Sequence, residues 1–231
     1  MSDIAFTVSR AEQERLRFIR WVLFLINAAE ASGIGRLQRR QFHSLLFVSF
    51  ASSRFYGIEP LRQRAQRTEQ GPYYRAAHIA LGVLTLGGLV DLEDFKPHPS
   101  PKDVQFEGTF SATPKGLAVG RKLAETYQGE SLYQFLLDLC LGTVSGVLED
   151  ESSVHAKSNV SLDRVFEEDL TYRQAVARPG NQLFVEESTD DQQTPTLNGL
   201  KSIDAFLKKR TPINRKDVLS AYQTLLMRRA A

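Results

Sequence analysis

Residues 73–92 read YYRAAHIALGVLTLGGLVDL, and residues 104–125 read VQFEGTFSATPKGLAVGRKLAE. In the first stretch, apolar residues recur every three or four positions, which predicts a helix that ends at the glycine pair. Apolar and polar residues alternate over a short stretch after this helix and again before Pro114, as expected for two half-buried strands. Pro114 suits the first position of a second helix, where its missing N–H group costs no hydrogen bond. The two stretches therefore predict helix, strand, loop, strand and helix in that order.

The apolar positions of the first of these helices form one stripe, which we expect to pack in the core. The same helix is too apolar to lie in a DNA groove, although its N-terminal end carries polar and aromatic residues. The stripe consists of Ala76, Ile79, Ala80, Val83 and Leu84.

This order of elements resembles the second half of a winged helix, in which a helix ending in Gly-Leu-Val is followed by a two-stranded wing and another helix. The matching residues are Leu84, Gly88, Leu89 and Val90 before the wing, and Ser111, Thr113, Lys115 and Gly116 after it. The resemblance implies a mainly α-helical fold that contains a winged helix-turn-helix with a small two- or three-stranded wing. Winged helices bind DNA, RNA or other proteins, so the resemblance does not select the partner.

Further helical patterns flank the wing. Residues 10–32 are apolar on nearly every side after Trp21, and Ser9 precedes them as an N-cap with Glu12 as its capping-box partner. Residues 36–53 form the next predicted helix, and residues 61–69 suit either a short helix or a flexible loop. Later helices are predicted at 131–147, 161–177, 195–210 and 213–229.

The chain is long enough for one large or two small domains. We predict a winged-helix-like domain with a long N-terminal helix at residues 1–128. An additional helical C-terminal region with acidic loops is predicted at residues 129–231.

The net charge of +2 is unevenly divided along the chain. Residues 1–128 contain 17 lysines and arginines against 12 acidic residues, whereas residues 129–231 contain 12 against 15. Residues 36–75 hold eight arginines and two acidic residues, and residues 138–191 hold 12 acidic and four basic residues. Such a division suits a protein that meets a polyanion, or an acidic protein surface, with one side only.

The basic segment supplies the candidate residues for binding nucleic acid or a partner protein. Cations in the first turns of the helix at 36–53 oppose the helix dipole, so an external anion would explain them. In a helix-turn-helix, the start of the recognition helix contacts bases or phosphates, which adds the residues from position 73 onward. The candidates are Arg36, Arg39, Arg40, Arg62, Arg64, Arg67, Tyr73, Tyr74 and Arg75.

Residues with the spacing of a catalytic or metal site are not found in the sequence. The four histidines are far apart and do not pair with cysteine or carboxylate at ligand spacing, and the glycines match no phosphate-binding pattern. Cys140 lies in an apolar run, which predicts a buried, inert thiol. We therefore expect a protein that is not an enzyme and uses no cofactor or metal. Because no leader or long apolar run is found, we also expect a cytoplasmic location without membrane contact.

The whole chain resembles a second family. A long N-terminal helix, an apolar second helix, a winged-helix middle and a helical tail resemble the middle component of bacterial three-component ABC ATPase systems, including Lamassu-type anti-phage defence complexes. The tail residues that carry this resemblance are 166–172, 184–185, 203–204, Asn214 and Tyr222. The resemblance implies an accessory subunit that bridges an SMC-like ATPase and an effector nuclease, and it assigns no binding residue.

Two functions remain open from the sequence. The first is a non-catalytic accessory subunit in a DNA-sensing complex directed against phages or plasmids, with the ATPase and effector as partners. The second is a winged-helix transcription regulator that binds DNA through the basic segment. Residues 93–103, at the predicted tip of the wing, mix acidic and basic side chains, and the segment after the wing is acidic. Both features favour protein partners over direct DNA readout.

Overall fold

The structure is a computed structural model that describes residues 9–61, 64–68, 71–99, 104–151, 162–178, 180, 182–183, 193–209 and 212–231. Its helices are α1 (Arg10–Ser32), α2 (Arg39–Ser52), α3 (Arg75–Leu86), α4 (Pro114–Ala124), α5 (Tyr127–Glu151), α6 (Leu162–Glu167), α7 (Leu170–Ala177), α8 (Pro195–Leu207) and α9 (Arg215–Ala230), with a 3₁₀ turn at Ser53–Tyr56. Its strands are β1 (Leu37–Gln38), β2 (Ala65–Thr68), β3 (Gly71–Tyr73), β4 (Val90–Pro99), β5 (Val104–Ala112) and β6 (Gln182–Leu183).

Four elements, α3, α4, α5 and β5, pack against α1. The Ser9 hydroxyl accepts a hydrogen bond of 3.2 Å from the Glu12 N–H, and Gly33 ends the helix with a left-handed φ of 86°. Every residue from Trp21 to Ala29 is buried, because α3, α4, α5 and β5 surround this half of the helix. The predicted helix at residues 10–32 and its cap are confirmed.

The predicted order of helix, strand, strand and helix is present as α3, β4, β5 and α4, and residues 100–103, in the predicted loop, lie outside the described residues. β4 and β5 pair in antiparallel register, with Val90 opposite Ala112, and β1 adds a third strand through Leu37 opposite Phe110. Thr113 caps α4 by accepting a hydrogen bond of 2.9 Å from the Gly116 N–H. The strands are longer than the sequence suggests, since β4 extends into the predicted wing tip as far as Pro99 and β5 begins at Val104.

A second small sheet has the strand order β3-β2-β6, and its central strand β2 occupies a segment predicted as helix or loop. Arg67 in β2 lies opposite Pro72 in β3, and Ala65 lies opposite Leu183 in β6. The prediction for residues 61–69 was therefore wrong. β2 pairs with β3, its neighbour in sequence, and with the distant β6, although the residues of β2 lack the apolar alternation that marks a strand.

The predicted helix at residues 161–177 is two helices, α6 and α7, separated at Glu168 and Asp169. The Asp169 carboxylate caps α7, because its Oδ1 accepts hydrogen bonds of 3.0 Å from the N–H groups of Thr171 and Tyr172. Asp169 is buried and ends the first of these helices by capping the next.

The helices of the C-terminal half share a core with the N-terminal half. α5 packs against both α1 and α9, and α2 contacts α6, α7 and α8. One hydrophobic cluster includes Phe24 and Phe110 from the first half and Phe135 and Leu226 from the second. The mainly helical fold with a small antiparallel sheet and C-terminal helices is as predicted. The division at residues 128 and 129 stays a prediction.

Candidate partner-binding surface

Two of the candidate arginines form ion pairs with the chain's own carboxylates. Arg36 donates a hydrogen bond to Glu93 in β4. Arg40 donates to Glu167 in α6, and its Nε lies 3.8 Å from Oδ2 of Asp163. Burial raises the pKa of Asp163, and the charge of Arg40 acts in the opposite direction. The basic segment, residues 36–75, thus forms ion pairs with part of the acidic segment, residues 138–191. These ion pairs reduce the positive charge that is available to an external anion.

Two further arginines contact neighbouring elements. The Arg39 guanidinium lies 5.9 Å from the centre of the Tyr73 ring, and Arg67 donates a hydrogen bond of 3.0 Å to the Val176 carbonyl. These contacts hold the two arginine side chains against other residues of the chain.

The last three arginines are Arg64, Arg75 and Arg62. Arg64 precedes β2 and Arg75 is the first residue of α3, and both are exposed. Arg62 lies outside the described residues. Of the arginines that the structure describes, Arg75 is the one at the start of the predicted recognition helix.

The two candidate tyrosines belong to the core. Tyr73 and Tyr74 are 3% and 1% exposed, so neither ring is presented to a ligand at the start of α3. The Tyr74 N–H donates a hydrogen bond of 3.3 Å to Nδ1 of His43, and burial raises the pKa of the Tyr74 hydroxyl well above its usual range. The hypothesis that they contact a partner therefore does not match their positions, and the candidate site rests on other residues.

The outward face of α3 is apolar, contrary to the expectation that its whole stripe packs in the core. Ile79, Val83 and Leu86 are 56%, 38% and 92% exposed. Their spacing of four and three residues places them on one face of the helix. The inward face instead carries Ala77, His78, Ala80, Leu81 and Leu84, which are buried.

A groove of about 280 Å³ runs between α3 and the first half of α1. Its α3 wall includes Ala76, Ile79 and Val83, and its α1 wall includes Ile19. Leu86 extends the same face beyond the groove, since it follows Val83 by three residues. We call the set Ile19, Ala76, Ile79, Val83 and Leu86 the α1–α3 surface.

Cations lie at the edge of the α1–α3 surface. Arg15 lines the groove from α1, and Arg75 precedes Ile79 by four residues on α3, so it shares that face. Glu14 also lines the groove, and its carboxylate lies 3.5 Å from the Arg10 guanidinium. The surface therefore combines exposed aliphatic side chains with a basic margin. A simple periodicity argument missed it, because the sequence shows that α3 is apolar but not which side faces α1.

Buried ionisable groups serve the fold. The Asp169 carboxylate accepts four hydrogen bonds, two from backbone N–H groups and two from the hydroxyls of Thr196 and Tyr222. Burial raises the pKa of the Cys140 thiol to about 12, so the thiol stays protonated at neutral pH. The prediction of a buried cysteine is confirmed.

The described ranges contain no cluster of three or more side chains suited to hold a metal ion. Among the helices in these ranges, none has both the length and the apolar character needed to cross a membrane. Comparison of the chain with family models, with curated proteins and with solved structures finds no match.

Proposed function

We propose that this protein is a non-catalytic subunit that binds a partner protein through the α1–α3 surface. The observation that carries the proposal is the outward face of α3. Ile79, Val83 and Leu86 are exposed there, where a solvent-facing helix normally carries polar side chains. A contiguous exposed apolar face with a polar margin is typical of sites where proteins bind each other.

DNA readout is supported less well by the same residues. A helix in a DNA groove contacts phosphates and base edges, which need hydrogen-bond donors and cations. Ile79, Val83 and Leu86 supply neither. Arg36 and Arg40, the cations expected to meet phosphate, are paired with Glu93 and Glu167. A winged-helix transcription regulator therefore remains the second candidate, favoured by two exposed arginines, Arg64 before β2 and Arg75 at the start of α3.

The chemistry of the surface points to an amphipathic helix of the partner that carries acidic residues beside its apolar stripe. Ile79 and Val83 form the wall of a groove between two helices, the setting in which an added helix buries its apolar face. Arg15 and Arg75 at the margin would pair with acidic residues on both sides of that stripe.

The resemblance described above supports the identity of the partner. We infer that the chain has a winged-helix arrangement and acts as the middle component of a three-component system. It would bridge an SMC-like ABC ATPase and an effector in an anti-phage or anti-plasmid complex. In this arrangement the ATPase supplies the helix that occupies the α1–α3 surface, and DNA contacts through residues 36–75 are secondary.

The test is co-expression of this chain with an SMC-like ATPase from the same genome, followed by purification of the complex. The variant Ile79→Glu/Val83→Glu places two negative charges on the α1–α3 surface and should abolish co-purification. Leu225→Glu is the matched control, because Leu225 is 46% exposed and lines a different groove between α8 and α9. This control should leave the complex intact.

Three results would contradict the proposal. One is a complex that survives Ile79→Glu/Val83→Glu. Another is the absence of any complex with such an ATPase. The third is self-association of the purified chain that the same double variant disrupts, since the surface would then join two copies.

A further inference from the structure

A polar cleft of about 590 Å³ lies away from the α1–α3 surface, between α1, the start of α5 and the segment that follows the 3₁₀ turn. Its volume is within the range of small-molecule sites, about 300–1,000 Å³. The lining side chains include Gln13, Arg17, Arg20, Trp21, Glu59, Tyr127, Gln128 and Ser131.

Arg17 and Arg20 give the cleft an uncompensated positive charge. Across the described residues, neither of them forms an ion pair, and the buried Nε of Arg20 has no hydrogen-bond acceptor. Burial and the charge of Arg17 together lower the pKa of Arg20, as expected where two cations are close without an anion. The acidic residue in the wall, Glu59, is already paired with Arg54 at 2.8 Å. A bound anion would supply the missing acceptor.

The start of α5 adds further donors and a favourable dipole. Gln128 and Ser131, in the first two turns of this helix, line the cleft. The Thr126 hydroxyl accepts a hydrogen bond of 3.2 Å from the Gly129 N–H and so marks the helix N-terminus. The N-terminus of a long helix carries a partial positive charge that favours phosphate. Together with the two arginines, this end of the cleft suits a phosphate group.

Tyr127 forms the outer wall of the cleft and is 91% exposed. An aromatic ring in this position has no packing role in the fold, but it can stack against a flat heteroaromatic base. We propose that the cleft binds a free nucleotide, with its phosphate held by Arg17 and Arg20 and its base stacked on Tyr127. This proposal does not depend on the partner-binding function.

Trp21 offers a direct readout. It is the sole tryptophan of the chain, it lines the cleft, and its Nε1 donates a hydrogen bond of 3.0 Å to the Ser49 hydroxyl. The experiment titrates the full chain with AMP, and separately with inorganic phosphate, while tryptophan emission is recorded with excitation at the red edge of its absorption. Equilibrium dialysis with radiolabelled AMP checks the affinity. We expect saturable binding of both ligands, with AMP bound more tightly.

Variants separate the two parts of the site. Arg17→Gln should lower the affinity for both AMP and phosphate by about tenfold, because one charge-assisted hydrogen bond is lost. This variant is the primary test, since Arg17 is exposed and its loss should not disturb folding. Tyr127→Ala should lower the affinity for AMP but not for phosphate, whereas Tyr127→Phe should retain the binding of both. Arg10→Gln, at an exposed site on the same helix outside the cleft, is the matched control.

Two outcomes would overturn the proposal. No saturable change with AMP at several millimolar would show that the cleft does not bind nucleotides. Equal affinities for AMP and phosphate, with no effect of Tyr127→Ala, would leave an anion site without a base-binding part.

Discussion

The Tyr222 hydroxyl donates a hydrogen bond of 2.9 Å to Oδ2 of Asp169, and this contact ties α9 to the start of α7. The same oxygen accepts a hydrogen bond of 2.7 Å from the Thr196 hydroxyl at the start of α8. Three helices that are separate in sequence therefore meet at one buried carboxylate. A buried charge that is fully hydrogen-bonded specifies one arrangement of the groups around it, because any other arrangement leaves it unpaired.

Loss of the Asp169 carboxylate should destabilise the fold strongly. Asp169→Ala removes the acceptor of the Tyr172 N–H and of two hydroxyls, and one of the two acceptors of the Thr171 N–H, so we expect the free energy of unfolding to fall by about 3 kcal/mol or more. Tyr222→Phe removes a donor to Asp169 and the acceptor of the Leu170 N–H, and should cost about 1–2 kcal/mol. Urea denaturation measures both. Asp204→Ala, which removes a surface ion pair with Lys208, is the control and should cost less than about 1 kcal/mol. Equal effects of Asp169→Ala and the control would refute this account.

His43 should make the protein less stable in mild acid. Its Nδ1 accepts the Tyr74 N–H, and burial, with the charges of His78 and Arg39, holds the pKa of His43 well below its usual 6.5. Below about pH 6.5 the unfolded chain binds a proton that the native state does not, so stability should fall by up to ~1.4 kcal/mol per pH unit. Above this pH neither state binds that proton, and the effect disappears.

The free energy of unfolding, measured with urea from pH 8 down to about pH 5, tests this dependence. His43→Asn is the control, because its side-chain oxygen can accept the same N–H but does not titrate. Below about pH 6.5, the slope of the free energy of unfolding against pH should be smaller in this variant, by the contribution of one bound proton. An identical slope in both proteins would mean that another group is responsible.

Replacement of two glycines by alanine should change the free energy of unfolding in opposite directions. A Cβ at Gly116 in α4 would lie 1.9 Å from the Leu89 carbonyl oxygen, whereas a Cβ at Gly82 in α3 would meet no atom within 4 Å. Gly116→Ala should therefore lower the free energy of unfolding by about 1–3 kcal/mol through overpacking. Gly82→Ala should raise it by about 0.5–1 kcal/mol, because alanine is the better helix former. Thermal and urea denaturation measure both changes, and a destabilised Gly82→Ala variant would contradict the helix geometry of α3.

The ion pairs of Arg36 and Arg40 predict how DNA binding depends on salt. If these arginines contacted phosphate, their replacement by alanine would reduce the slope of log affinity against log salt by about one unit each. Because they pair with Glu93 and Glu167, we expect Arg36→Ala/Arg40→Ala to leave this slope unchanged for duplex DNA. Arg64→Ala/Arg75→Ala provides the comparison. A reduced slope for the first variant would favour the regulator.

Local signals in the sequence predicted α1, α3 and α4 well. The Ser9 cap, the glycines after α3 and Pro114 act through backbone groups within a few residues, so they can be recognised without the rest of the fold. The strand β2 could not be found in this way, since its residues lack the apolar alternation of a strand and one of its two partners, β6, lies far along the chain. Strand pairing is decided by tertiary contacts and not by local propensity.

The candidate site was predicted only in part, for two physical reasons. First, the sequence shows the charge of an arginine but not its partner: Arg40 meets Glu167, which no spacing rule connects to it. Second, an apolar helix shows its composition but not its orientation. Ile79 and Leu81 are equally apolar in the sequence, yet Ile79 is exposed and Leu81 is buried, because contact with α1 selects the inward face.

The most direct test of the central claim is site-specific photo-crosslinking from position 86. Leu86 is 92% exposed at the end of the α1–α3 surface, so a photoreactive benzoyl-phenylalanine placed there should not disturb the core. In a mixture with the SMC-like ATPase, irradiation should join position 86 to one helix of the ATPase, identified by mass spectrometry. The same amino acid at position 225 should give no such product. Equal crosslinking from both positions, or none from position 86, would contradict the proposal that this surface binds the ATPase.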